Sequence, residues 1–221
     1  TRFFSALLIC FCAFILLLSK AYILIIFLPG IIAYKLAEKR KWSFAGTFVV
    51  VHVTFIMIMI GAGFIDDRLN FLKIIAEKQN AFLELAQSVK AQSLMDVTVL
   101  KPDIFIFLKA IPEAFVNVLF RPFLWDSNSP LILLAAFENL IIYLFIFIAV
   151  LYRQAKSGGT PLLYFIFSFV LLNVLLTGLT VPVLGAIVRY RIFAILFLSL
   201  ACVLIIDENK LNIKHKFWKH S

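Results

Sequence analysis

The chain has 221 residues, of which 63% are hydrophobic and 15% charged, and its mean hydropathy is +1.04. No ordinary water-soluble domain combines such values. The formal charge of +9 sits in short basic patches beside apolar runs, which directs it to anionic lipid headgroups and argues against nucleic acid as a partner.

A start at Thr1 rather than methionine is expected of a piece of a longer polypeptide. Arg2 leads into an apolar run over residues 3–18 that imitates a secretory signal. Ser19, Lys20 and another apolar run follow where a cleavage site belongs, so the run reads as retained. Residues 3–34 are long for one span and tight for two. Two short helices with a sharp turn at Ser19 and Lys20 fit best, the second bent at Pro29 and Gly30; one long tilted helix is the alternative. Cys10, Cys12 and the later Cys202 lie in apolar runs with no Cys-x-x-Cys pair or nearby histidine, and read as packing residues.

Residues 35–42, Lys-Leu-Ala-Glu-Lys-Arg-Lys-Trp, form the densest basic patch and are expected in the cytoplasm. Residues 44–64 then run outward as an apolar segment long enough for a bilayer core of about 30 Å. His52 lies in the middle of that span, where an interhelical hydrogen bond is the expected role ahead of a ligand role.

Residues 66–130 form a long external region in which seven basic residues face eight acids. Asp66 and Asp67 open it. Paired carboxylates can hold a divalent cation or supply a general base, and they equally suit the N-cap of a helix beginning near Leu69. Leu69, Leu72, Ile75, Phe82, Leu85 and Val89 recur at helical spacing, predicting an amphipathic helix on the outer membrane surface. A second helix is expected over residues 103–119, opened by Pro102, bent or restarted at Pro112, lying at the surface or re-entrant and capped off by Pro122. Trp125 and Trp42 are expected near opposite interfaces.

Residues 131–152 return inward and carry Glu138 and Asn139 within an apolar run. An ionised carboxylate there needs a partner. Counted from the outer ends, Glu138, Asn173, Arg189 and Arg191 fall at similar depth, so Glu138 either locks two helices by an ion pair or belongs to a substrate or proton site. Arg153 and Lys156, before Gly158, Gly159 and Pro161, mark a cytoplasmic turn. Residues 161–177 go out and 187–206 come back. Between them lies Thr-Val-Pro-Val-Leu-Gly-Ala-Ile-Val-Arg-Tyr-Arg over 180–191, whose arginines suit either headgroup anchoring or a lipid phosphate. The tail from 207 to 221 is basic, so three patches agree on one side. The fold class is all-α: a transmembrane bundle of about six spans, or five if residues 3–34 form one. Its parts are residues 1–65, the external region 66–130, the three-span bundle 131–206 and the tail 207–221. No phosphate-binding glycine loop, nucleophile elbow or zinc signature is present, and no cofactor is expected beyond a divalent cation at Asp66 and Asp67.

Arg-Pro-Phe-Leu-Trp at 121–125, Phe-Glu-Asn at 137–139 and Gly-Ala-Ile-Val-Arg-Tyr-Arg at 185–191 together resemble a known pattern. It is that of the C-terminal half of bacterial polytopic inner-membrane proteins of surface-polysaccharide biosynthesis, including lipid-phosphate-sugar-dependent glycosyltransferases. In those families the Arg-Tyr-Arg run is commonly followed by proline, where this chain has Ile192 and Phe193. The resemblance implies a polyprenyl-phosphate-linked glycan handled at the outer leaflet. It further implies Arg189, Arg191 and Arg121 on phosphate, Glu138 orienting them, and Asp66 and Asp67 in the place of the family's acidic motif. The competing expectation is a non-catalytic membrane subunit that docks other subunits.

Overall fold

The computed structural model describes residues 2–39, 43–126, 129–154, 160–207 and 210. Among them every regular element is helical: α1 (Arg2–Lys39), α2 (Phe44–Ala62), α3 (Phe71–Ser88), α4 (Ile104–Leu119), α5 (Pro130–Leu151), α6 (Pro161–Thr180), α7 (Leu184–Tyr190) and α8 (Ile192–Ile205). Short 3-10 turns occupy Asp67–Leu69 and Leu124–Asp126. Four helices, α1, α2, α5 and α6, are long and apolar enough to cross a bilayer; α7 and α8, bent by 50°, make a fifth if they are counted as one span. α1 is two helices meeting at a kink at Lys20, whose φ of −150° and ψ of 64° are not helical, as expected of residues 3–34; the second continues to Lys39. Pro29 sits inside this helix and does not end it.

The helix starts follow from local chemistry. Ser43 accepts from the Gly46 amide at 3.2 Å, Asn70 from Lys73 at 3.2 Å, Asp103 from Phe105 at 2.7 Å and Ser129 from Ile132 at 3.3 Å. Each side chain satisfies an amide that the first helical turn leaves without an intrahelical partner. Pro130 and Pro161 occupy first-turn positions of their helices, where a missing N–H costs nothing.

α6 is the axis of the bundle. Half of its most apolar window is buried, against 11% to 17% for the other three long helices. Residues 21–39 of α1 run along it: Phe27 stacks on Phe169 at 4.3 Å and on Phe165 at 5.8 Å, between Ile23, Ile26 and Phe197. α2 joins through Phe48 against Ala33, Ala37 and Tyr164. α8 covers another side with Ala194 and Ala201 in one cluster with Ile166 and Val170. α4 comes closest. A Cβ built on Gly178 would lie 2.5 Å from the Ala114 carbonyl oxygen, so the helices meet backbone to backbone. Apolar helices in lipid gain little from excluding water, and small residues that permit such approach supply the packing instead.

The two ends of the bundle differ. At one end α1 meets α2, and the chain after α5 meets the end of α8, with Gln154 N–H donating to Ile205 O at 2.9 Å and Lys210 Nζ to Arg153 O at 2.7 Å. Lys39, Arg153 and Lys210 therefore gather there. Arg40, Lys41, Trp42, Lys156 and the tail lysines Lys214, Lys216 and Lys219 lie outside the described residues. At the other end α3 and α4 fold over the bundle. The expected surface helix is α3, but part of its apolar side is taken by protein: Ile75, Ala76, Gln79 and Ala86 are buried, while Leu69, Leu85 and Val89 are exposed. α4 is one continuous helix through Pro112. Trp125 is 79% exposed and stacks on Phe123 at 4.8 Å.

Candidate functional site: a guanidinium at the end of α4

α4 ends inside the bundle rather than on its surface. Its last carbonyls have no helical successor to bond them, and three side chains from later helices supply the donors. Tyr143 Oη–H donates to Leu119 O at 2.5 Å. Asn139 Nδ2 donates to Phe120 O at 3.3 Å and Pro122 O at 3.1 Å. Arg191 Nη1 donates to Val118 O at 3.2 Å and Arg121 O at 2.6 Å, and its Nη2 donates to Asn139 Oδ1 at 2.6 Å. Arg191 is 2% exposed. A cation at a helix C-terminus meets the negative end of the helix dipole, which offsets part of the cost of burying the charge.

Asn139 lies nine residues into α5 and Tyr143 one turn further, so the end of α4 reaches roughly 13 to 20 Å along α5 from Pro130. α4 is thus re-entrant relative to α5. The bend between α7 and α8 brings Arg191 to it: Arg191 N–H still bonds Ile187 O at 2.9 Å, and the chain then turns by 50° into α8.

Below this polar knot runs a cavity of about 490 Å³. Ile142, Ile146, Phe147 and Val150 of α5, Val170 and Val174 of α6, and Ala194, Ile195 and Leu198 of α8 line its length. Asn139, Tyr143 and Arg191 close one end. Nε of Arg191, which lines that end, has no hydrogen-bond partner; neither has Nε of Arg121, whose side chain does not line the cavity. Arg121 approaches Asp126 at 3.8 Å only.

The remaining candidates separate. Glu138 points away from the cavity, is exposed, and forms no ion pair with Arg191 or Arg189; the neighbouring amide of Asn139 takes the place expected for it. Arg189 is exposed on α7. Asn173 is fully buried in α6, and neither its Oδ1 nor its Nδ2 has a partner. His52 Nδ1 lies 2.7 Å from Phe48 O and its Nε2 lies 2.6 Å from Ser168 Oγ. A carbonyl only accepts, so Nδ1 carries a proton and donates to Phe48 O, while Nε2 and the Ser168 hydroxyl share the hydrogen bond that joins α2 to α6. Asp66 caps the 3-10 turn, accepting from Arg68 N–H at 2.9 Å, while Asn70 caps α3. Asp67 pairs with Lys73, whose pKa is raised first by that hydrogen bond and then by the carboxylate's charge. No group of three metal-ligating side chains occurs among the described residues.

Two polar clamps escaped the sequence reading. Gln79 accepts from Leu100 N–H at 2.8 Å and donates to Thr98 O at 3.2 Å; Glu113 accepts from Thr98 N–H at 3.1 Å and Thr98 Oγ at 2.7 Å. Gln79 carried a signal, since it interrupts the apolar stripe between Ile75 and Phe82. The chain matches no protein-family model, no curated protein and no solved structure.

Proposed function

We propose that this is a bacterial inner-membrane protein that handles a polyprenyl-phosphate-linked glycan at the outer leaflet during surface-polysaccharide synthesis. The observation that carries this reading is the pairing of a long apolar cavity with one unpartnered guanidinium donor, Nε of Arg191, at its polar end. An isoprenoid chain fits the apolar length. A phosphate is the natural acceptor for Nε–H of Arg191, because charge-assisted bonds to phosphate are among the stronger ones available to arginine.

In this reading Lys39, Arg153 and Lys210 face the cytoplasm under the positive-inside rule, which puts α3 and α4 outside as a cover. Residues 2–19, about 27 Å long as helix, count as a sixth span beyond the break at Lys20. Glu138, Asp66 and Asp67 do not line the cavity. Lipid handling is therefore favoured over transfer or polymerisation chemistry. A divalent cation at Asp66 and Asp67 loses support, since Asp67 already neutralises Lys73.

The test uses full-length protein in nanodiscs and native mass spectrometry against a long-chain polyprenyl phosphate and the matching uncharged polyprenol. The phosphate form should bind at least about tenfold tighter. Val150→Trp, which fills the cavity from its open side, should abolish both interactions without unfolding the protein. Equal binding of the two lipids, or unchanged binding by Val150→Trp, refutes the reading.

One observation favours a second reading, a non-catalytic subunit. Both terminal nitrogens of Arg191 are committed to holding α4, which is a structural task. A stoichiometric protein partner from the source membrane, with no polyprenyl lipid bound, would decide for it.

A further inference from the structure

α5 and α8 run in the same direction side by side, joined near their starts by Asn139 and Arg191 and near their ends by Arg153 and Ile206. Each also carries an exposed apolar stripe. On α5 it is Leu131, Leu134 and Ile141, at 79%, 67% and 69% exposure; on α8 it is Ile192, Leu196 and Val203, at 59%, 63% and 61%. At 100° per residue, both stripes turn to the same side of the helix pair, away from the cavity.

Each stripe contains one charge, and the two are opposite. Glu138 sits between Leu134 and Ile141, and Arg189 heads the α8 stripe one turn before Ile192. Both are exposed, and neither forms an ion pair or hydrogen bond with a described residue; Glu138 feels the buried Arg191 only through its longer-range field. Their levels agree within about one helical turn, because Asn139 and Arg191, one and two residues away, are hydrogen-bonded to each other at 2.6 Å. A carboxylate and a guanidinium on helix surfaces that face lipid are costly unless something covers and pairs them.

We propose that a second copy of this chain covers them, Glu138 of each copy pairing with Arg189 of the other. Two copies inserted the same way round are related by a two-fold axis along the membrane normal, which preserves depth. Such an axis sets α5 against α8 twice, so opposite charges at one level meet in both halves of the interface. A single charged stripe could not do this with its own copy. The interface lies on the side of α5 and α8 opposite the cavity, so it stands whether or not the cavity holds a lipid.

The experiment measures the dimer fraction of the full chain in liposomes by subunit-capture photobleaching over a range of densities. Glu138→Arg alone and Arg189→Glu alone should each weaken dimerisation by about tenfold or more, since each variant sets like charges together twice. The double variant should restore it. Thermal unfolding of each variant checks that the monomer survives. A second measurement is independent of charge. In chains with Cys10 and Cys12 replaced by serine, mixing Glu138→Cys with Arg189→Cys copies should give an oxidative crosslink that neither population gives alone. A monomer at every density overturns the proposal, as do charge reversals that change melting but not mass, the mark of a pair within one chain. Failure of the double variant to recover, or a different protein bound over Glu138, overturns it equally.

Discussion

Gly178→Ala tests how closely α4 is seated on α6. The new Cβ would lie 2.5 Å from Ala114 O and 2.7 Å from Ala114 Cα and Cβ, where ordinary contact begins near 3.4 Å. None of these atoms is the end of a flexible side chain, so α4 as a whole must retreat by roughly 0.9 Å. Overpacking of this kind costs about 1–3 kcal/mol, against a gain of at most about 1 kcal/mol from replacing glycine inside a helix. After the full helix-propensity gain is subtracted the net expectation is a loss of up to about 2 kcal/mol, read as a lower midpoint in reversible unfolding in mixed micelles. Gly61→Ala is the control. Nothing lies within 4 Å of the Cβ it would add in α2, so it should leave stability unchanged or raise it. The retreat of α4 also drags Val118 and Arg121 off Arg191, so hydrogen exchange at residues 119–123 should quicken in Gly178→Ala alone. Wild-type stability with unchanged exchange would refute the close seating of α4.

A double-mutant cycle on His52→Ala and Ser168→Ala should give a coupling of about 0.5–1.7 kcal/mol, the range for interhelical hydrogen bonds in lipid, and additive effects would deny the bond between α2 and α6. The Asp67 pair raises the pKa of Lys73, a group whose stabilising contribution is present below its unfolded value and fades as pH climbs through its folded one. Asp67→Asn should therefore let the Lys73 amine react faster with an acylating reagent near pH 9 than in the wild type, as measured by peptide mass spectrometry; an equal rate would deny the pair.

Much of the architecture was legible because its causes are local. Apolar run length marks α2, α5 and α6; Pro102 and Asp103 mark the start of α4 and Pro122 where it must stop. His52 was legible too, since a lone imidazole in an apolar helix has few ways to be satisfied. The break at Lys20, with a helix on either side of it, was legible because Ser19 and Lys20 interrupt an apolar run too long for one comfortable span. Arg191 was singled out for the wrong neighbour. Depth counting placed Glu138, Asn173, Arg189 and Arg191 at similar depth, yet depth does not say which of two consecutive residues, Glu138 or Asn139, faces inward. Glu138 turns out and Asn139 turns in because Asn139 alone can both accept from a guanidinium and donate to carbonyls. Nor could a span count reveal that the partner awaiting that arginine was the backbone at the end of α4.

That last contact orders events during synthesis. Arg121 O and the guanidinium that ties it off are 70 residues apart in the chain. A ribosome has therefore made α4, its turn, α5 and α6 before the residue that completes α4 exists. Until then Asn139 and Tyr143 hold the turn without a cation, and the free carbonyls at its tip favour water over hydrocarbon. α4 would settle into the bundle last, drawn in when α7 and α8 arrive. A nascent chain arrested before residue 191 should leave residues 118–122 open to a water-borne protease that the finished protein excludes.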